Sequence, residues 1–310
     1  MQNKREHDQQ HSHADHSHTP IDFGRAFAIG VTANLAYVGV QVVYGIWSHS
    51  VALLADAMHN LSDVLGLVLA WGASLLVRRL PTRRFTYGLR KTSILAALAN
   101  SGLLLLVTGG IAWEAVQRLI HPTTVAGLTV VWVAALGIAV NGGTAMLFMA
   151  GRKQDLNIRG AFLHMAADAA VSLGVVVAGL GMIYMGWLWL DPVASLAISI
   201  AIVIGSWGLL RDSIRMSLDA VPAGIDLAKV EAYLASLAGV SEVHDLHVWA
   251  MSTTETALTA HLVMLDGHPG DPFMAQLSTD LHLRFDIGHA TVQVETDPQH
   301  PCALAATDVV

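Results

Sequence analysis

Cysteine is nearly absent from this chain. Its one thiol, Cys302, excludes a disulfide within the chain and argues against a metal cluster built on cysteine. Charge is scarce as well: Asp, Glu, Lys and Arg make up 13% of the 310 residues, where a soluble domain carries roughly 25%. With 54% of residues hydrophobic, that scarcity excludes an ordinary soluble globule and points to an integral membrane protein. No secretory signal is expected, because the first 25 residues are polar and rich in histidine. An H-E-x-x-H stretch, the common helix of zinc hydrolases, does not occur.

What is present is a series of long apolar runs. A hydrocarbon core about 30 Å thick needs ~20 apolar residues in a helix. Residues 26–47, 51–77, 92–113, 123–151, 160–186 and 192–210 reach that length, which predicts six spans. Six spans put both ends of the chain on one side. Of the 17 Lys and Arg, fourteen flank the spans on that side and Arg118 stands alone on the other. The positive-inside rule then places both termini in the cytoplasm. Short loops, an alanine-rich chain and the lack of targeting signals point to a bacterial inner (plasma) membrane, crossed several times.

After residue 211 the pattern changes. "DLAKVEAYLASLAGV" reads as an amphipathic helix, "SEVHDLHVWAM" and "TETALTAHLVML" as strands, "GDPFMAQLSTDLHLRF" as a helix and "HATVQVETD" as a last strand. The order α-β-β-α-β predicts an open-faced sandwich with both helices on one side of the sheet. The expected fold class is thus an all-α six-helix transmembrane domain (23–211) joined to a cytoplasmic α+β, ferredoxin-like domain (212–298). An N-terminal tail (1–22) and a C-terminal tail (299–310) flank the two.

Two spans carry ionisable groups in their interiors. In "LLADAMHNLSDVLGLVLAWG", residues 53–72, Asp56, His59 and Asp63 interrupt the second span, and His164 and Asp168 interrupt the fifth. His59 and Asp63 stand four apart, as do His164 and Asp168, and residues i and i+4 share a helix face. The second and fifth spans run antiparallel, so the two pairs can converge near the middle of the bilayer. Two imidazoles and two carboxylates form a tetrahedral set suited to Zn²⁺, and two carboxylates cancel the charge of a divalent ion. Asp56 shares the face of His59 one turn closer to the outside. It reads equally as a relay for protons and as a cap for the outer helix end. Asn34, Asn100 and Asn141, inside other spans, are expected to hydrogen-bond between helices.

Protons compete with metal for the same nitrogens and oxygens, because ligands bind metal only when deprotonated. A site that loads from the cytoplasm and meets protons outside would act as a metal/proton antiporter, with alternating access around a midplane site. The ligand set disfavours manganese and magnesium, which prefer oxygen, but leaves Cd²⁺, Co²⁺ and Ni²⁺ beside Zn²⁺. An intramembrane metallohydrolase is the remote alternative. It would need an open fourth position and a separate base, and no candidate base stands near the two pairs. Divalent metal ions and membrane lipid are the expected partners, and no nucleic acid is.

Taken together, "SVALLADAMHNLSDVLGL", "RRFTYGLRKTSILAAL", "DLNIRGAFLHMAADAAVSLGVV", "VHDLHVWAMS" and "HATVQVE" resemble the cation diffusion facilitators, over about residues 22–297. The resemblance implies six spans, a homodimer held partly by the cytoplasmic domains, and proton-coupled export of zinc and related metals. It also implies that His59, Asp63, His164 and Asp168 are the transport-site positions, with histidine at position 59 going with zinc preference. Some members hold a second metal in the loop after the second span. Here that loop, "RRLPTRRFTYG", has neither histidine nor acid, so no site is expected. Some members bind a zinc pair in the tail. His244 and His261 match those ligand positions, Glu295 stands where some members have histidine, and His289, Asp297 and the "HPC" at 300–302 are further candidates. His247, beside Trp249, reads as packing or strand surface and His282 as solvated. The N-terminal "HDQQHSHADHSH" places His7, His11, His13, His16 and His18 in a tract too polar to fold. That tract reads as a metal-gathering arm or as a solubilising tail.

Overall fold

In a computed structural model of the chain, residues 24–77, 79–149, 156–297 and 302 are described. Six long helices come first: α1 (Gly24–Trp47), α2 (Val51–Val77), α3 (Thr92–Ile120), α4 (Gly127–Phe148), α5 (Leu156–Met185) and α6 (Leu190–Ser217). By length and composition, α3, α4, α6 and the Phe162–Met185 stretch of α5 are apolar enough to cross a membrane. The other two are long enough, at 24 and 27 residues, but carry polar groups inside. α4 packs chiefly on α5 and α3 on α6, while α2 touches each of the other five.

The bundle is apolar outside and locally polar inside. Leu106, Trp132, Val177 and Ile204 are exposed, as side chains facing lipid should be. Tyr37, Leu53, Val130, Val175 and Ile198 form the apolar core. Gln41, Asp56, Asn60, Asn141, Asp168 and Asp191 are buried beside it. Polar groups at such depth are costly and mark function or helix-to-helix bonding. For Asn34 and Asn141 the expected bonding is incomplete. Among the described residues, neither side-chain atom of Asn141 nor the Oδ1 of Asn34 finds a partner. Among the described residues, Gln41 and Asn60 are amides that do bond across helices.

The outer end of α2 is tied down with care. The Leu53 N–H donates to Ser50 Oγ (3.1 Å), and the Val51 N–H donates to Asp191 Oδ2 (2.9 Å). The Ser50 hydroxyl donates to the other oxygen of Asp191, at the start of α6. Arg118 donates to the carbonyl of His49, whose φ of 54° turns the chain between α1 and α2. Orphan N–H groups at a helix start are thereby satisfied where water is scarce.

The tail has the expected order: α7 (Leu227–Ala235), β1 (Glu242–Ala250), β2 (Thr256–Val263), α8 (Asp271–Phe285) and β3 (His289–Glu295). Asp226 caps α7 by accepting from the Lys229 N–H, and Pro272 opens α8. The sheet runs β1-β2-β3, antiparallel between β1 and β2 and parallel between β2 and β3, with α8 as the crossover. One cluster, including Val230, Leu234, Leu258, Leu262, Leu277 and Leu281, joins both helices to one face of the sheet. The opposite face is uncovered at His289, Thr291 and Gln293. Leu281→Ala should cost about 2–5 kcal/mol, the usual range for a fully buried leucine. Faster hydrogen exchange across β1–β3, with α1–α6 unchanged, would register that loss.

The tail meets the bundle at the start of α3. Arg90 pairs with Glu255, Lys91 with Asp219 (2.7 Å), and the Thr253 N–H donates to Ser93 Oγ (3.1 Å). The ring of His289 meets Tyr87 edge-on at 5.6 Å.

Candidate functional site

The helical period puts Asp56, His59, Asn60 and Asp63 along one side of α2, and α5 faces it with His164 and Asp168. The side chains converge. His164 Nε2 lies 3.1 Å from Asp63 Oδ2 and 3.6 Å from Asp168 Oδ2. His59 Nε2 lies 3.4 Å from Asp168 Oδ1 and 3.9 Å from Asp63 Oδ2. A tetrahedral ion with ligand bonds of about 2.0–2.1 Å spaces its donors roughly 3.3–3.4 Å apart. The contacts lie near that edge length, but the two imidazoles reach different oxygens of Asp168. The ligand atoms that all lie within 4.8 Å of one another are those of Asp63, His164 and Asp168, with His59 outside that set. Asp168 is almost wholly enclosed, with 2% of its side chain exposed, whereas Asp63 and His164 are 30% and 41% open. The Oδ2 of Asp168 has no hydrogen-bond partner among the described residues. A buried carboxylate oxygen left in that state needs a cation or a proton.

Asp56 does not cap α2, a task that falls to Ser50 and Asp191. It sits fully buried in the helix interior and accepts from Gln41 Nε2 of α1 at 2.5 Å. Gln41 also donates to Tyr37 Oη (2.9 Å) and accepts from Asn60 Nδ2 (3.2 Å). Tyr37 in turn donates to the Val133 carbonyl of α4 at 3.3 Å. Gly137 leaves the room for this ring, since a Cβ there would collide with Tyr37 Oη. Sequence patterning missed Gln41, Asn60 and Tyr37, whose only signal was polarity inside an apolar run.

A second group of donors lies on the uncovered face of the tail sheet. His244, His261, Glu295 and Cys302 each offer a ligand atom, and these atoms lie within 4.8 Å of one another. His261 Nδ1 is 2.9 Å from Glu295 Oε1, and His244 Nε2 is 3.3 Å from the same oxygen. Burial pushes the Glu295 carboxyl up, but hydrogen bonding from Cys302 and the charges of both imidazoles outweigh it and hold the group below its ordinary range. His289 is not part of this group. It opens β3 while Glu295 closes it, about 20 Å away along a strand. Asp297 also lies outside the four-donor set. His247 pairs with Asp245 (2.8 Å). His7, His11, His13, His16 and His18 lie outside the described residues.

Residues 27–216 match the model of the cation efflux transmembrane domain, and residues 222–297 that of the cation efflux protein cytoplasmic domain. The chain belongs to the cation efflux family. The zinc transporter ZitB of Escherichia coli is 35% identical over 94% of this chain and 93% of its own length. A cadmium, cobalt and zinc/H⁺-K⁺ antiporter of Bacillus subtilis is 30% identical over 91% and 92%. Among solved structures, the metal-bound C-terminal domain of the CzcD transporter from Cupriavidus metallidurans is 38% identical. It covers 23% of this chain and 99% of its own, with a TM-score of 0.20. Like its relatives in the cation efflux family, the chain is a membrane transporter of metal cations and not an enzyme. The metallohydrolase alternative falls with that membership.

Proposed function

We propose that this cation efflux protein exports Zn²⁺ from the cytoplasm in exchange for protons, through one site made by His59, Asp63, His164 and Asp168. The observation that carries the reading is the gathering of Asp63, His164 and Asp168, with ligand atoms within 4.8 Å of one another around an enclosed carboxylate, and of His59 beside them, 3.4 Å from Asp168 Oδ1. Two carboxylates neutralise a divalent ion, and two neutral imidazoles complete a borderline set that fits zinc better than magnesium or manganese. The empty site carries two negative charges that protons neutralise as the metal leaves, so the two cargoes exclude one another. Asp56, held by Gln41 beside the site, serves as the relay for those protons toward the outer side. The antiporter named for the Bacillus relative supports the exchange. The same relative's cadmium and cobalt support a second reading, in which the site carries Cd²⁺, Co²⁺ or Ni²⁺ as readily.

The division into a transmembrane unit at 23–211, a cytoplasmic unit at 212–298 and tails at 1–22 and 299–310 belongs to this reading. So do the multi-pass inner-membrane location with both termini cytoplasmic, which the distribution of Lys and Arg supports, and the homodimer. His244, His261 and Glu295 hold a regulatory zinc that biases the transport equilibrium, and the N-terminal histidines gather metal for it. The test is flux into proteoliposomes under an imposed pH gradient, with Zn²⁺, Cd²⁺, Co²⁺, Ni²⁺ and Mn²⁺ compared. Gradient-driven zinc flux with manganese excluded is the expected result. No flux for any ion, in protein that still binds zinc, would sink the mechanism.

A further inference from the structure

The loop between α2 and α3 has no part in the transport reading, yet its composition is one-sided. Residues 78–91 carry six Lys and Arg and no acid. Arg90 and Lys91 pair with Glu255 and Asp219. Arg79, Arg83 and Arg84 are exposed, and none of the three has an ion pair among the described residues. We propose that this loop and the groove beneath it bind an anionic phospholipid of the cytoplasmic leaflet. The phosphodiester sits on Arg79, Arg83 and Arg84, and an acyl chain lies between α2 and α3. This rests on the reading that the loop faces the cytoplasm, and adds to it a partner at the joint between bundle and tail.

The loop is folded, not slack. The Thr82 N–H donates to the Phe85 carbonyl (2.9 Å) and the Phe85 N–H to Thr82 Oγ1 (3.1 Å), so Arg83 and Arg84 stand at the tip of a tight turn. Gly88 then brings the chain back against Arg79. Its φ is 72°, and a Cβ there would lie 3.1 Å from the Arg79 carbonyl. Three guanidinium groups are thus borne on one short, closed segment, and the planar guanidinium fork suits phosphate oxygens. Leu80, Phe85 and Tyr87, interleaved with them, are exposed as well. Arginine alternating with large apolar and aromatic side chains suits the headgroup layer, where each residue keeps one end dry and the other wet.

The loop joins the two walls of a groove. Leu69, Ala73 and Val77 of α2, Ala96 and Ala97 of α3 and Leu209 of α6 line a cavity of about 500 Å³. Asn100 lines both this cavity and a smaller one of about 90 Å³ between α2 and α3, farther from the loop. At the loop end the rim is hydroxylic, with Ser93 of α3 and Ser252, Thr253 and Thr254 of the tail. Toward the cytoplasm the surface is therefore apolar, then hydroxyl-lined, then cationic. A phospholipid presents its acyl chain, glycerol ester and phosphate in that same order. Basic pockets between helices on the cytoplasmic side recognise such headgroups, and that leaflet holds anionic lipid. A lipid seated here touches α2, α3, α6 and the tail together.

Full-length protein in a neutral detergent is titrated with phosphatidylglycerol and, in parallel, with phosphatidylcholine and inorganic phosphate. Bound lipid is counted by native mass spectrometry. Neither flux nor orientation enters this measurement, so its failure and the failure of the transport reading are separate results. Phosphatidylglycerol is expected to bind at least about tenfold more tightly than phosphatidylcholine, and inorganic phosphate should not displace it. Arg79→Gln, Arg83→Gln and Arg84→Gln combined should weaken phosphatidylglycerol about 10- to 100-fold, the sum of three basic residues at an anionic surface. Lysine at the same three positions should recover most of that loss. Ala96→Phe, which fills the groove, should weaken both lipids. Each variant is checked for an unchanged Tm without lipid. Equal binding of the two lipids, or wild-type affinity in the triple glutamine variant, would overturn the proposal. Displacement by inorganic phosphate alone would overturn the acyl-chain seat. Unchanged lipid binding in Ala96→Phe, with loss of the dimer mass, would make the groove an interface between copies of the chain instead.

Discussion

Asp168→Ala is expected to bring pH-gradient-driven zinc flux down to that of protein-free vesicles. Asp168 is the acid of the proposed transport group with almost no access to solvent, and it faces both imidazoles, at 3.4 and 3.6 Å. Without it, a bound zinc ion keeps one uncompensated charge in a medium that does not screen it. Removing one partner from a buried charge pair costs about 3–5 kcal/mol, which corresponds to roughly 10²- to 10³-fold or more in affinity. Asp63→Ala should lose less, about ten- to a hundredfold, because water can reach that side of the site and solvate the ion in place of the missing carboxylate. Asp168→Asn, which keeps the volume, separates charge from shape and should fail as completely as the alanine. Each variant is checked for a monodisperse elution profile, so that lost flux is not lost fold. Flux above a tenth of wild type in Asp168→Asn would show that the charge is not what the site needs.

Much of this architecture follows from local rules. The six long helices correspond to the long apolar runs because a membrane demands continuous apolar length, and length is visible in one dimension. The expected sixth span, 192–210, falls short of α6 at both ends, since a helix continues past the hydrocarbon while its backbone bonds remain satisfied. The α-β-β-α-β order of the tail was likewise readable from period, and the i, i+4 pairs at His59/Asp63 and His164/Asp168 from spacing. The rest depends on what lies opposite. Asp191 reads as the boundary of a span, yet it is buried and caps a different helix, 140 residues earlier in the chain. Gln41 and Asn60 look like stray polar residues until α1 and α2 are placed together. Asp245 reaches His261 through a bulge that alternation cannot foresee. A single cysteine argues against a cysteine cluster, and yet Cys302 lies within reach of His261 and Glu295, a contact that spacing along the chain does not reveal.

Asp191→Ala should be the most destabilising single change at the outer end of the bundle, although Asp191 is no ligand. Its carboxylate is fully buried and accepts from the Ser50 hydroxyl and from the first N–H of α2. Alanine orphans both donors, each at about 1–3 kcal/mol when buried, so a total of about 2–6 kcal/mol is expected. For a chain of this size that is a fall of roughly 3–9 °C in Tm, read by thermal unfolding in detergent. Asp191→Asn retains one acceptor and should recover part of the loss. Ser50→Ala combined with Asp191→Ala should cost less than the two singles added, since both remove the same bond. The consequence extends inward. α2 carries His59 and Asp63 two to three turns below this anchor, and Asp191 fixes its start against α6. Flux in Asp191→Ala should therefore fall while the number of zinc ions bound per chain is unchanged. A variant that melts within a degree of wild type, or that loses a bound zinc, would mean that the α2–α6 anchor lies elsewhere.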